Sequence, residues 1–400
     1  MNNDKRLFYG SCFALITTAF SFSIRAGILP QLGDAFQLSG QQLGFINSMW
    51  FLGFPISMVL GGLFYHQLGP KRIMQFAFLT HTLGIILTIY SGGYTGLLIS
   101  TLLIGIGNGC TEAACNPMIA DAYEGKTMNT LLNRFHMWFP GGIVLGSLIS
   151  KFMTDLDLGW QAQIWIIMIP TLIYVYLFYG QSFPKPKLEA TTSVGENLKA
   201  MATPLYIFML VCMAFTAISE FGPQQWTSLI LSSSGAQPMV ILALITGLMA
   251  VGRYFGGDIV HKYDQTGVLL GSAVLTAIGI FLFSTQTGAM TYIAAVFFAL
   301  GVCYFWPNMI GFIAEKIPLS GALGMSIIGA MGMFSTSIFQ PIIGGWIDSS
   351  TVQMETQGLS GAALDLAAGQ ATLTTMISFP AILIVLFTIL LFWQKKAKTA

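Results

Sequence analysis

Four ionisable side chains stand inside stretches of sequence that are otherwise apolar. They are Arg25, Glu112, Arg134 and Glu220. A charged group within a membrane costs about 3 kcal/mol or more unless it is paired or hydrated, so such a group usually serves ion or solute binding. With 54% hydrophobic and 8% charged residues, the chain has the composition of a membrane protein. These four residues are therefore the first candidates for its chemistry.

The four charges predict two pairings. Glu112 and Arg134 fall at similar depths of two consecutive apolar segments. There we expect a carboxylate that exchanges a proton beside an arginine, with a static salt bridge as the alternative. Arg25 and Glu220 occupy equivalent places in the two halves of the chain, which predicts a gate or a grip on a polar solute, or else a permanent pair. Arg25 alone also suits a bidentate contact with a carboxylate or phosphate.

Amide, imidazole and indole groups in the apolar segments supply further candidates for solute binding. Sugars are bound by amide hydrogen bonds to their hydroxyls and by aromatic faces against the ring. The predicted binding residues beyond Arg25 and Glu220 are Asn47, Asn116, His136, Gln224, Trp226 and Trp306. Trp50, Asn108 and Gln340 belong to the same wider inventory. Interfacial anchoring is the alternative for any single aromatic residue, and packing is the alternative for His136.

The rest of the composition limits the classes of function. The 17 basic and 16 acidic residues give a net charge of +1, which is no basis for binding nucleic acids. The five cysteines lie in apolar segments without a CxxC spacing, so packing is expected instead of disulfides or a metal site. No cofactor is predicted, and no clustered nucleophile and base predict an enzyme. The pattern Gly105-x-Gly107-x-Gly109 lies within an apolar segment and predicts close helix packing.

Membrane-spanning helices of about 20 residues must position these side chains. The predicted fold class is an all-α membrane protein with twelve transmembrane helices in two pseudo-symmetric six-helix bundles. The spans predicted in the first half are 8–32, 41–65, 72–91, 94–119, 129–150 and 161–180. Those in the second half are 203–232, 236–257, 266–286, 288–313, 322–347 and 367–393. Residues 183–202 form the predicted cytoplasmic linker between an N-terminal half, 1–182, and a C-terminal half, 203–400.

The basic residues orient this arrangement, because lysine and arginine concentrate in cytoplasmic loops. Most of the 17 basic residues fall in segments that are cytoplasmic when both termini are inside, so both termini are predicted to be cytoplasmic. Charged residues at the same end predict conformational latches. The predicted cytoplasmic gate comprises Lys71, Arg72, Asp121, Glu124, Arg253 and Asp258.

The two halves of the chain share residues at a common offset. One shift along the sequence aligns Gly27 with Gly222 and His66 with His261. Parallel six-helix repeats of this kind are found in secondary transporters.

Two segments resemble the major facilitator superfamily. Residues 62–72 read GLFYHQLGPKR, like that superfamily's loop signature after span two, and residues 107–117 read GNGCTEAACNP. The second segment is similar to the Glu-x-Ala-x-Asn-Pro stretch of the fucose permease branch of proton–sugar symporters. The resemblance implies a proton-coupling acid at Glu112 and a sugar-binding residue at His136. It also implies that spans one and seven face each other across a central cavity.

The resemblance implies a secondary active transporter that works by alternating access in the bacterial inner membrane. The predicted activity is proton-coupled uptake of a sugar or similar small polar solute by a monomer, with Glu112 carrying the proton and Arg134 tuning it. The Asn and Asp that the branch has in span one are replaced here by Ser23 and Ala26. Arg25 and this lost acid favour an alternative, transport of organic anions or export of amphiphilic compounds.

Overall fold

The computed structural model describes residues 2–123, 125–185 and 194–399. Within these ranges it describes all side chains except those of residues 125–126, 129–130, 133, 194, 254–263, 322 and 395–399. By its internal contacts the chain divides into two compact units, residues 1–190 and 191–400. The division falls within the segment predicted as a linker.

Every regular element in the described parts of the chain is a helix. The first unit contains α1 (Asn3–Phe36), α2 (Gly40–Leu63), α3 (Tyr65–Ile89), α4 (Tyr94–Ala122), α5 (Gly125–His136), α6 (Trp138–Asp155) and α7 (Trp160–Phe178). The second unit contains α8 (Val194–Met201), α9 (Pro204–Ile230), α10 (Pro238–Tyr263), α11 (Gln265–Thr285), α12 (Ala289–Val302), α13 (Phe305–Lys316), a 3-10 turn (Pro318–Ser320), α14 (Gly321–Thr356), α15 (Gly361–Met376) and α16 (Ser378–Thr399).

Each of the twelve predicted spans coincides with one helix or with two consecutive helices. Within the described residues, ten segments are long and apolar enough to cross a membrane. The two predicted spans outside this group are 129–150, which is divided between α5 and α6, and 236–257, which lies in α10. In α10 the described side chains end at Arg253, so only the shorter stretch Pro238–Arg253 is assessed there, and it is apolar. The predicted class, an all-α membrane protein, is confirmed.

Three predicted spans are broken, and each break begins three or four residues before a proline. Proline lacks a backbone N–H, and its ring clashes with the carbonyl of the residue four positions earlier. Thus α5 ends at His136 before Pro140, and α15 ends at Met376 before Pro380. The third break separates α12 from α13 at Cys303 and Tyr304, before Pro307.

The glycines of α4 let neighbouring helices approach closely, as their spacing predicted. A Cβ atom on Gly105 would lie 2.5 Å from the carbonyl oxygen of Trp50 in α2. A Cβ on Gly107 would overlap the imidazole of His81 in α3. Helices α2, α3 and α4 therefore pack with their backbones or polar side chains in contact, and this positions the buried polar groups of the first unit.

Candidate functional site

Arg25 is buried in the first unit between aromatic rings. It lies on α1 with 5% of its surface exposed. Its guanidinium carbon is 5.0 Å from the ring centre of Trp50 and 5.9 Å from that of Phe51, both on α2. A cation over an aromatic face gains up to about 2 kcal/mol when it is desolvated. The two rings therefore fix the position of the guanidinium inside the unit.

Arg25 and Trp50 line a small interior cavity together with Ser21 of α1. The space is the size of a water molecule or slightly larger. The rest of its lining is mostly apolar and consists of Ile28, Leu32, Ile46, Thr88, Leu97, Thr101, Ile104, Ile164 and Ile167. A cation in such an apolar lining favours an anionic group over a neutral one.

The indole of Trp50 is also held at its edge, where its N–H forms a hydrogen bond with Ser21. The indole Nε1–H donates to Ser21 Oγ at 2.9 Å, and Asn108 Nδ2 of α4 donates to the same oxygen at 3.2 Å. Ser21 in turn donates to the carbonyl oxygen of Thr18 at 2.8 Å. All four residues are buried. The sequence did not predict a binding role for Ser21, and it placed Trp50 only in the wider inventory of polar and aromatic groups.

Asn47 lies one helical turn before Trp50 on α2, and no described residue forms a hydrogen bond with its amide. The residue is completely buried, and within the described residues both its Nδ2 and its Oδ1 lack a partner. An unsatisfied buried polar group costs about 1–3 kcal/mol. A polar solute or a water molecule that bonded this amide would recover that cost.

Glu112 is bound to Asn116 instead of Arg134. Asn116 Nδ2, one turn further along α4, donates to Glu112 Oε2 and, at 3.2 Å, to the carbonyl oxygen of Glu112. Both side chains are half-buried. Arg134 is exposed on α5, and the structure shows no ion pair between it and Glu112, two residues whose side chains are both described. His136, at the end of α5, is exposed as well.

The break before α6 explains why the expected Glu112–Arg134 pair does not form. The depth of Arg134 was inferred from an unbroken span over 129–150. The chain is instead interrupted at Met137, so α5 runs separately from α6, and Arg134 lies on the exposed side of this short helix.

In the second unit, Glu220 of α9 pairs with Arg253 of α10. Arg253 Nη2 lies 3.5 Å from Glu220 Oε1, and Glu220 is 2% exposed. The Nε–H of Arg253 donates to the carbonyl oxygen of Cys303 at 3.0 Å. That carbonyl lies four residues before Pro307, which has no N–H to offer it. Arg253 therefore contacts one oxygen of a buried carboxylate and satisfies the open carbonyl of a helix break, while Glu220 Oε2 has no hydrogen-bond partner among the described residues.

This pair brings together two residues that were predicted to act at different places. Arg253 was expected in a cytoplasmic latch with Asp258, whose side chain lies outside the described ones. Glu220 was expected opposite Arg25, which belongs to the other unit. The proposed Arg25–Glu220 contact stays a prediction.

Gln340 of α14 is a candidate binding residue that the sequence placed only in the wider inventory. It is completely buried, and neither amide atom has a hydrogen-bond partner among the described residues. Helices α9 and α14 run in the same direction, and residues 121 positions apart lie at the same level. Ser335 Oγ donates to the carbonyl oxygen of Ala214, and a Cβ on Gly222 would lie 3.2 Å from Ile343 Cδ1. This register places Gln340 at the level of Ser219, whose buried hydroxyl also lacks a partner in the described structure. The only signal in the sequence was an amide within an apolar span.

The remaining predicted binding residues of the second unit are buried or packed against neighbouring rings. Gln224 Nε2 contacts Met249 Sδ at 3.7 Å. Trp226 is fully buried, and its Nε1 lacks a hydrogen-bond partner in the part of the chain that the structure describes. The ring centre of Trp306 lies 6.0 Å from that of Phe221 in an edge-to-face contact. Aromatic packing holds this tryptophan.

The predicted gate residues of the first unit lie where α3 begins and α4 ends. Tyr65 donates its hydroxyl to Asp121 Oδ2 at 2.7 Å, which links these two helix ends. Lys71 and Arg72 are exposed near the start of α3, after Gly69, whose φ of 73° interrupts the first turns. Glu124 lies outside the described residues. The latch itself stays a prediction.

The chain belongs to the Major Facilitator Superfamily, whose family model matches residues 11–339. It is a multi-pass membrane protein that carries small solutes, and it is not an enzyme. A crystal structure of a mutant of the nucleoside transporter NupG superposes with a TM-score of 0.79 at 14% identity, covering 97% of this chain and 99% of that one. This similarity shows the fold.

Curated relatives carry varied solutes. The putative niacin/nicotinamide transporter NiaP of Bacillus subtilis (strain 168) is 23% identical over 344 residues, which is 82% of this chain and 84% of the relative. The hexuronate transporter of the same organism is 24% identical over 300 residues, covering 67% of this chain and 71% of the relative. The narrower resemblance to the fucose permease branch stays a prediction.

Proposed function

We propose that this protein is a secondary active transporter of small organic anions that carry a carboxylate. The observation that carries the proposal is the buried guanidinium of Arg25, held over Trp50 and Phe51 at a cavity with a mostly apolar lining. A carboxylate can accept two parallel N–H bonds from such a group, and this contact strengthens where water is excluded. A neutral solute gains less from the same position.

The names of two relatives support a carboxylate solute. A hexuronate is a sugar whose terminal carbon is a carboxylate. Niacin, one of the two solutes in the other relative's name, is a pyridine carboxylic acid, and the second, nicotinamide, is its neutral amide. A sugar acid also reconciles the two alternatives drawn from the sequence, because it combines hydroxyl groups with an anionic group. Hydroxyls suit the unsatisfied amide of Asn47, and the carboxylate suits Arg25.

Proton coupling is proposed at Glu112. Its carboxylate is half-buried and bound to the amide of Asn116 on the same helix, and that contact does not require a permanent positive charge. The carboxylate is thus held by a neutral group on its own helix, which is the arrangement proposed here for a proton carrier. Symport of a proton with an anion would lower the charge that must cross the membrane. Transport inward by alternating access, with both termini cytoplasmic, completes the proposal.

A neutral sugar is the second candidate, and the buried amides favour it. Asn47 in the first unit and Gln340 in the second are fully buried with no hydrogen bonds to described residues. Sugar hydroxyls, which both donate and accept, would satisfy such amides. In this case Arg25 would stabilise the packing of the first unit and would not bind a charged group of the solute.

Thermal unfolding of the purified protein in detergent distinguishes the candidates. A ligand that binds the folded state raises its midpoint, and the tighter ligand does so at the lower concentration. The three probes are D-glucuronate, its neutral methyl ester and D-glucose. We expect stabilisation by glucuronate at lower concentrations than by the ester or glucose. Equal stabilisation by glucuronate and its ester would favour the neutral-sugar candidate and reject the anion proposal.

A further inference from the structure

His81 lies at the centre of a buried chain of hydrogen bonds that ends at Trp50. It is on α3 and is completely buried. Its Nε2 is 2.9 Å from Asn108 Oδ1 on α4, and its Nδ1 is 3.2 Å from the hydroxyl of Tyr174 on α7. Asn108 continues to Ser21, and Ser21 accepts from the indole of Trp50. Five helices each contribute one residue to the chain.

The direction of these hydrogen bonds is determined along the chain. The amide nitrogen of Asn108 donates to Ser21, so the amide oxygen faces His81 and must accept. Nε2 of His81 therefore carries the proton. Nδ1 is left to accept from the hydroxyl of Tyr174. A neutral imidazole with its proton on Nε2 satisfies both neighbours.

Close packing around the His81 imidazole restricts its movement relative to Asn108. Gly107, the residue before Asn108, touches the ring, and any side chain at that position would overlap it. The imidazole and the Asn108 amide are thus held in one relative position. The single amide oxygen of Asn108 is committed to His81, so the amide cannot turn without losing this bond.

We propose that His81 is a positioning residue for the solute cavity, acting through Asn108 and Ser21 on the indole of Trp50. The indole carries Arg25 on its face, so a shift of the indole changes one of the ring contacts that position the guanidinium. The inference rests on the proposed function in one respect, which is that Arg25 contacts the solute. The geometric part, from His81 to Trp50, is independent of any solute.

Two substitutions separate the two hydrogen bonds of His81. His81→Gln places an amide nitrogen near the position of Nε2, so it keeps a donor to Asn108 and loses the acceptor for Tyr174. His81→Asn places an oxygen near the position of Nδ1, so it keeps the acceptor and loses the donor. Both replacements are polar, and each loses one hydrogen bond. A purely structural role would make them similarly harmful.

The solute-independent test observes the indole of Trp50 by NMR. Protein labelled with 15N-tryptophan gives indole N–H signals, and the signal that disappears in Trp50→Phe belongs to Trp50. We expect His81→Asn to move this signal and His81→Gln to leave it in place. The inference is overturned if the two variants move it equally or if neither does. Tyr174→Phe tests the other arm and is expected to lower the unfolding temperature without moving the Trp50 signal.

The transport test uses D-glucuronate uptake by proteoliposomes. We expect the KM of His81→Asn to rise about tenfold, the size expected for one buried hydrogen bond, while His81→Gln keeps the wild-type KM. Thr80→Val is the matched control, since Thr80 is the buried neighbour of His81 on α3, does not line the cavity and bonds only carbonyl oxygens of its own helix. Absence of uptake by wild-type protein would reject the proposed solute class. The NMR result would still decide the role of His81.

Discussion

At the scale of single residues, the buried charges of this protein are held by groups that differ in kind. Arg25 is held by aromatic faces, and Arg253 is held by a carboxylate and a backbone carbonyl. Glu112 is held by a neutral amide. Of the two arginines, Arg25 is the one that lines the small cavity of the first unit. It is therefore the one placed where an anionic solute could bind.

Removing the charge of Arg25 should weaken binding of an anionic solute. A hydrogen bond to a charged group contributes about 1.5–3 kcal/mol, so Arg25→Gln should raise the dissociation constant for D-glucuronate roughly 10- to 100-fold. Arg25→Lys should recover only part of this loss, because an ammonium lacks the planar fork. Titration calorimetry of the purified variants measures the change.

Arg6→Gln provides the matched control for Arg25. Arg6 also stacks on an aromatic ring, with its guanidinium carbon 5.4 Å from the centre of Tyr176, and it donates to the Tyr176 carbonyl oxygen at 2.7 Å. It lies near the N-terminus of α1, outside the cavity. An equal loss of affinity in Arg6→Gln and Arg25→Gln would mean that both act on folding and not on the solute.

Glu112→Gln should uncouple transport from the pH gradient. Glutamine preserves the size and the hydrogen bonding to Asn116 but cannot carry a proton. We expect gradient-driven accumulation of solute in proteoliposomes to be lost while exchange of solute across the membrane continues at the wild-type rate. Glu315→Gln, at an exposed position on α13, is the control. Accumulation that persists in Glu112→Gln would place the proton elsewhere.

At the scale of helices, close contacts in α4 set the shape of the first unit. A Cβ atom at Gly105 would press on the Trp50 carbonyl at 2.5 Å, and the backbone cannot give way as a flexible side chain would. Gly105→Ala should therefore destabilise the protein by about 1–3 kcal/mol and lower Tm. Gly62→Ala is the control, since a Cβ at that helical position meets open space. Calorimetry or a thiol-dye melt measures both, and equal Tm values would contradict this packing.

The helices were predictable from the sequence because apolar length alone identifies a span. The same holds for the glycine packing of α4, which follows from small residues at regular spacing. The three breaks were less accessible. Helices end four or five residues before Pro140, Pro307 and Pro380, yet Pro55 and Pro117 lie inside continuous helices. Whether a proline breaks a helix depends on whether its neighbours satisfy the freed carbonyl.

The side-chain pairs were the least predictable part of the site. Arg253 reaches Glu220 because α9 and α10 pack at a particular level and because the break before Pro307 opens the Cys303 carbonyl to it. Neither fact can be read from spacing along the chain. The Ser21–Trp50 contact likewise depends on the register of α1 against α2. Their position inside apolar spans made Arg25 and Glu220 candidates, but it did not predict the residues that they contact.

At the scale of the whole molecule, the chain is a Major Facilitator Superfamily transporter with few charges, some of them buried. The protein has 33 Lys, Arg, Asp and Glu residues, 17 basic plus 16 acidic, among 400. Charges inside spans are costly, and those of Arg25, Glu112, Glu220 and Arg253 are compensated by rings, an amide or an opposite charge. Such a molecule can respond to a solute charge without rearranging many groups.

Accumulation of D-glucuronate by proteoliposomes tests the central claim most directly. An inward-directed proton gradient is imposed on vesicles containing wild-type protein or Arg25→Gln, and uptake of glucuronate is compared with uptake of its neutral methyl ester. We expect wild-type protein to accumulate glucuronate well above the ester and Arg25→Gln to lose this preference. Equal accumulation of the two sugars by wild-type protein, or an undiminished preference in Arg25→Gln, would contradict the claim.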